Sequence, residues 1–188
     1  MPHPQLAHAE ASVLVVIDFQ EPFVKAMAER ETVTENIGKL IHLAQVLEIP
    51  ILVTEQNVER LGPTVPEVRE VLEEAGAYRP IDKLAFSCCS VDEFVQRVHD
   101  SDRDTLLVTG VEGHICVQQT TLEALNLGYK VHVIRDAVTS RLPHNLELAT
   151  EKMRHAGAMI SSTEMIAYEL LGKGGTPQFK AALKFLKW

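Results

Sequence analysis

The order of apolar runs constrains this chain most. Val13-Leu14-Val15-Val16-Ile17 is a continuous apolar, mostly β-branched run. Ile49–Thr54, Leu106–Thr109, Lys130–Ile134 and Gly157–Ser161 follow, with a weaker strand-like segment at Ile81–Ser87. Runs of this length without alternation suit strands buried on both faces, the habit of parallel sheets. Segments of helical period separate them. Ile37, Leu40, Ile41, Ala44 and Leu47 define a helix over Thr34–Leu47 with Thr34 as its cap. Pro66 opens a short helix to Glu74, Ser90 caps one over Val91–Val98, and others cover the stretch after Cys116, Asn145–His155 and the segment to Leu171 behind Ser162/Thr163. Pro177–Trp188 reads as an amphipathic docking or subunit-contact helix, with Phe179, Leu183 and Leu186 on one side. Strand–helix alternation repeated about six times predicts a mainly parallel six-stranded sheet covered by helices on both faces, an α/β/α sandwich.

The 188 residues suffice for one α/β domain, taken as 1–188. A net charge of −8, with no basic run, excludes nucleic acid or an anionic membrane as the main partner. No apolar run approaches the roughly 20 residues that span a bilayer. The three cysteines, two of them adjacent, form no disulfide framework. With no signal-like N-terminus, the expected location is the cytoplasm. The first strand is not followed by Gly-x-Gly-x-x-Gly, and no phosphate-binding Gly-Lys-Ser/Thr loop occurs, so no nucleotide cofactor is expected.

Polar residues at strand ends carry the chemistry. In open α/β sheets ligands bind beyond the carboxyl ends of strands. Asp18 follows the first run directly, placed either as an acid/base or as a cap. Lys83 stands in the weak third strand, either paired with a carboxylate and a cysteine or solvated. Cys116 falls where Leu106–Gly110 gives way to a helix. There, helix-terminal N–H groups stabilise a thiolate, lower its pKa and can receive an oxyanion; the alternative is a small buried hydrophobe. Glu55-Gln56-Asn57 ends the second strand, either lining a site or forming a solvated loop. His132 alternates with apolar neighbours and reads as packed. If Asp18, Lys83 and Cys116 meet, a carboxylate takes the thiol proton and a lysine balances the charge, which is the logic of nucleophilic hydrolysis.

Val16-Ile-Asp-Phe-Gln20, Lys83-x-x-Phe86-Ser87 and Gly110-Val-Glu-Gly-His-Ile-Cys-Val-Gln-Gln-Thr120 resemble the three signatures of the isochorismatase-like cysteine hydrolases. Thr54–Asn57, Leu61–Pro66 and Pro177–Lys180 resemble its isochorismatase-domain-containing subgroup. The resemblance implies Cys116 as nucleophile, Asp18 as general base and Lys83 as third member. It also implies a cis peptide between Val111 and Glu112, aiming the Glu112 and Cys116 N–H groups at the oxyanion. Homo-oligomers are the family habit. Metal-dependent nicotinamidases of the superfamily carry an Asp-x-His cluster after the second strand. Glu55-Gln56-Asn57 offers poor ligands instead, so no metal is expected. Isochorismatases proper lack the cysteine and cleave a vinyl ether. Cys116 therefore points to acyl chemistry on a small amide or carbamoyl C–N bond of a small-molecule substrate, through a thioester. Phe19, Phe23, Gln56, Asn57, Phe86 and Ile115 are the expected pocket residues. The competing reading is a non-catalytic binding or redox-responsive protein that keeps the fold.

Overall fold

The computed structural model describes residues 3–27 and 29–186. Its sheet has six strands, β1 (Ser12–Ile17), β2 (Ile51–Gln56), β3 (Ile81–Lys83), β4 (Thr105–Gly110), β5 (Lys130–Val138) and β6 (Met159–Ser161). Their spatial order is β3-β2-β1-β4-β5-β6, and every pairing is parallel. The chain thus builds outward from β1 in one direction, returns, and builds outward from β4 in the other. The carboxyl ends of β1 and β4 flank the point of reversal, where open α/β sheets leave a crevice.

Side chains of β1 alternate between two cores because successive Cβ atoms point to opposite faces. Leu14 and Val16 join one core with Ile37, Leu40 and Ile41 of α2 (Arg30–Val46), Val68 and Leu72 of α4 (Pro66–Glu74), and Ile166 and Leu170 of α8 (Thr163–Leu171). Val13, Val15 and Ile17 join the other with Phe94 and Val98 of α5 (Asp92–Asp100), Ala124 of α6 (Gln118–Asn126), and Leu146 and Met153 of α7 (Pro143–His155). Every residue of β1 and β4 is buried, which accounts for the apolar runs Val13–Ile17 and Leu106–Val108 within them. Two single-turn helices, α1 (Glu21–Val24) and α3 (Val58–Leu61), follow β1 and β2.

Several boundaries differ from the sequence expectation. The first long helix begins at Arg30, whose guanidinium makes two 2.8 Å hydrogen bonds to Glu21, so Thr34 lies inside it and donates back to the Arg30 carbonyl. α7 begins at Pro143, which suits a first turn. Ser162 does cap α8, accepting from the Met165 N–H. β5 runs on past Ile134 after a register shift, reaching Val138, which pairs with Gly110. The last helix, α9 (Pro177–Ala182), is shorter than the predicted one. Beyond it the chain turns, Leu186 enters the α2 core, Phe185 packs 5.3 Å from the His42 ring, and Leu183 stays exposed. The expected helical residues 187–188 lie outside the described residues.

Candidate active site

The motif Asp18-Phe19-Gln20 divides its side chains among three tasks. Asp18 adopts a left-handed backbone, φ 48°, a conformation Asp tolerates better than most residues. Its N–H donates to the Thr54 carbonyl at the end of β2, and its side chain is fully buried. Phe19 points into the α2 core, with no exposed surface. Gln20 bridges the two strand ends: Oε1 accepts from the Gln56 N–H at 2.7 Å, and Nε2 donates to the Gln56 and Gly62 carbonyls at 3.0 and 2.6 Å.

Lys83 ends β3, and parallel register sets it opposite Gln56. Its ammonium lies 2.6 Å from Asp18 Oδ2 and 2.7 Å from Gln56 Oε1, with the Ala85 and Phe86 carbonyls at 3.1 and 3.2 Å. Both charged side chains are 0% exposed. Asp18 Oδ1 accepts from the Thr54 hydroxyl at 2.8 Å. Burial pulls the lysine pKa down, but the Asp18 charge, with the nearby Cys88 and Cys116 sulfurs, outweighs it and leaves the value above 10.5.

Cys116 sits in a wide turn of π-helical geometry, Gly113–Val117, that connects to α6. Both glycines of the motif have steric reasons. Gly110 has φ 105°, and a Cβ there would stand 2.1 Å from the Ile17 carbonyl oxygen of β1. A Cβ on Gly113 would meet Leu146 of α7 at 2.4 Å. The intervening Val111–Glu112 peptide bond is cis. Cys116 is 5% exposed, and its thiol lies close enough to the Asp18 carboxylate and the Lys83 ammonium to feel both charges. Asp18, Lys83 and Cys116 therefore converge from the ends of three strands.

The thiol departs from the expectation of a lowered pKa. Burial, then the negative charge of Asp18, pushes Cys116 up to about 12, against the opposing pull of Lys83. The resting group is a neutral thiol. A helix-terminal dipole favours the thiolate, but desolvation and the adjacent carboxylate outweigh it. Cys88 lies close by, fully buried, with Sγ 3.7 Å from the Thr54 hydroxyl, and burial pushes its pKa to about 11.

A cavity of about 60 Å³ opens beside the sulfur, lined by Phe23, Gln56, Phe86, Glu112, Ile115, Cys116 and Arg141. Four of the six expected pocket residues thus line it, and two do not. Phe19 is consumed by the core. Asn57 is a turn residue, φ 44°, whose N–H donates to the Lys83 carbonyl. Glu55 is also occupied, accepting from the Thr64 N–H, the Thr64 hydroxyl and the Tyr78 hydroxyl. Gln56 and Glu55 are strand residues, because β2 extends to Gln56. Sequence reasoning missed the Arg141 side chain, the Glu112 carboxylate and Thr54. The strand-end rule reaches Arg141 once β5 is extended to Val138. Thr54, a polar residue closing the run Ile51–Val53, carried a readable signal.

The Isochorismatase domain family model matches residues 12–165. The chain belongs to this family. A secreted isochorismatase effector, Isc1 of Phytophthora sojae, is 37% identical over 179 residues, covering 94% of this chain and 85% of the relative. Human isochorismatase domain-containing protein 2 is 35% identical over 179 residues, covering 94% and 83%. The solved structure of MAR1 ribonuclease from Caenorhabditis elegans superposes with a TM-score of 0.88 at 34% identity, covering 96% of this chain and 92% of that one. No helix among the described residues is long and apolar enough to cross a membrane.

Proposed function

We propose that this isochorismatase-family protein is a cysteine hydrolase that cleaves a small amide or carbamoyl C–N bond through an acyl-thioester on Cys116. The observation that carries the reading is the wholly buried Lys83–Asp18 pair, 2.6 Å apart, whose two charges act on the Cys116 thiol, with a cavity beside the sulfur. A buried ion pair is a weak source of stability, whereas one shared with a nucleophile at a cavity suits chemistry.

In the proposed cycle the Cys116 proton passes to Asp18 as Sγ attacks the carbonyl carbon. The carbonyl π bond opens, and the oxyanion is received by the Glu112 and Cys116 backbone N–H groups. The C–N bond then breaks, and the leaving nitrogen takes the proton from Asp18. Water attacks the thioester, giving its proton to Asp18. The C–S bond breaks, the acid departs, and the sulfur recovers that proton. Lys83 holds Asp18 in place and keeps a cation beside whichever group is negative.

The test is a screen of small primary amides and carbamoyl compounds, with mass spectrometry of the intact protein. An acyl adduct on Cys116, ammonia or amine release, and loss of both in a folded Cys116→Ala variant are expected. Undiminished turnover in Cys116→Ala refutes the nucleophile. The C. elegans relative is named a ribonuclease. With a net charge of −8 and the acidic residue Glu112 lining the cavity, this chain is expected to leave single-stranded RNA uncut in the same screen. Exposed Leu84 and Phe86 beside the site suit self-association, which sedimentation of the purified protein tests.

A further inference from the structure

The polar groups around the cavity are unequally occupied. Gln56 is spent: Oε1 accepts from Lys83 at 2.7 Å, and Nε2 donates to the Leu84 carbonyl at 2.9 Å. Phe23, Phe86 and Ile115 are apolar, and Cys116 neighbours the charged Asp18–Lys83 pair. Arg141 stands at the rim, its side chain 57% exposed, with one guanidinium nitrogen 3.3 Å from Glu112 Oε1. The Glu112 side chain is only 4% exposed, yet its buried Oε2 accepts no hydrogen bond. The nearest cationic candidate, His114 Nδ1, lies 3.4 Å away and stands 3.0 Å from the Ser140 hydroxyl. Buried carboxylate oxygens are almost always hydrogen-bonded, so this orphan, on a residue that lines the cavity, calls for a donor.

We propose that Glu112 is the specificity-determining residue, its carboxylate accepting an N–H from the amide or carbamoyl nitrogen of the substrate. This rests on the reading of Cys116 as the nucleophile. A planar primary carboxamide presents its oxygen and one N–H on the same edge. One residue can address both: in the proposed cycle the Glu112 backbone N–H receives the oxygen, and its side chain takes the nitrogen proton. Substrates with an unsubstituted amide or carbamoyl nitrogen are then favoured over esters, which offer that carboxylate only lone pairs. Rejection by an unmet buried polar group is stronger than rejection by size.

The experiment uses acrylamide and methyl acrylate, two Michael acceptors that alkylate the same thiol, one bearing N–H and the other none. Second-order rate constants for Cys116, read by intact mass, are each divided by the value for glutathione. The corrected acrylamide-to-acrylate ratio is expected to be about 10 or more in wild type, the size of a charge-assisted hydrogen bond. It is expected to fall to a few-fold or less in Glu112→Gln, which keeps side-chain volume and backbone. A wild-type ratio near 1, or a high ratio that Glu112→Gln leaves intact, overturns the proposal. Should Glu112→Gln not fold, Glu112→Asp withdraws the carboxylate by one methylene and is read in the same way. If neither probe labels Cys116, acetamide and methyl acetate binding, followed by NMR shifts of the Cys116→Ser protein, decides about Glu112, while the nucleophile reading stands or falls on turnover in Cys116→Ala. Preference for acetamide that Glu112→Gln erases supports it; equal binding overturns it.

Discussion

Replacing Lys83 by methionine removes the cation from a site with no solvent to take its place. In the folded protein Asp18 and Lys83 are both 0% exposed, 2.6 Å apart. The variant keeps the Thr54 hydroxyl on Asp18 Oδ1 but leaves Oδ2 facing a thioether, and Gln56 Oε1 and the Ala85 and Phe86 carbonyls lose a donor. Stripping one partner from a buried ion pair costs about 3–5 kcal/mol, because the remaining charge is neither hydrated nor paired. For a chain of this size each kcal/mol moves the midpoint by roughly 2–4 °C, so Tm falls by roughly 6–20 °C. Removing both charges is a different perturbation. In Asp18→Asn with Lys83→Met no buried charge is stranded, and asparagine tolerates the left-handed backbone at position 18. The double variant is expected to be at least about 2 kcal/mol more stable than the sum of the single losses predicts. Urea unfolding of the four proteins at pH 7 gives all the terms. A loss below about 1 kcal/mol in Lys83→Met, or simple additivity, refutes the claim that the pair is held dry and mutually dependent.

Three further perturbations follow from the same geometry. Because burial and Asp18 hold the Cys116 thiol near 12, its alkylation by iodoacetamide is expected to keep rising above pH 9 instead of levelling near the ordinary 8.5; Asp18→Asn, by removing the opposing charge, speeds alkylation at pH 8 while abolishing hydrolysis, and a plateau at 8.5 in wild type refutes the assignment. Gly110→Ala sets a Cβ 2.1 Å from the Ile17 carbonyl in a backbone with φ 105°, so a loss of about 3 kcal/mol or more, or insoluble protein, is expected, and a Tm within 2 °C of wild type refutes it. His132 is buried, which lowers its pKa below 6.5 despite Glu169; the unfolded chain therefore takes up this proton first, stability falls as pH drops below 6.5, and a His132→Phe variant that folds is expected to show a shallower acid slope in urea unfolding between pH 6.5 and 5.

Much of the architecture was legible because it follows from periodicity alone. Val13–Ile17 and Leu106–Thr109 could only be central strands, and β1 and β4 are indeed buried throughout. The strand-end rule singled out Asp18, Lys83 and Cys116, whose side chains the fold brings together from the three strand ends. Register-dependent features were not legible. Whether Gln56 ends a strand or starts a loop depends on its pairing with Lys83, a partner 27 residues away. Phe19 looks eligible for a pocket until the left-handed turn at Asp18 decides which face its side chain meets. The direction of the Cys116 shift was misjudged for a related reason: dipole and lysine can be read from local sequence, whereas desolvation belongs to the assembled core.

A thiol held near 12 looks poorly suited to nucleophilic work, but that value describes a proton lost to water while Asp18 remains negative. Such a loss adds a second negative charge to a buried cluster containing one cation. In the proposed cycle the proton moves only from Cys116 to the neighbouring Asp18, and the cluster's net charge does not change. Negative charge passes from carboxylate to sulfur, and Lys83 attracts both. The cost of that internal transfer is therefore smaller than the shifted thiol value suggests. Attack on a carbonyl lowers it further, because the charge on sulfur is passed at once to the oxyanion. In the proposed cycle the resting site therefore offers little thiolate to general oxidants and alkylators near neutral pH and forms one most readily against an acyl group seated in the cavity. It follows that Lys83, which faces both negative groups, matters more to the reaction than to the resting sulfur.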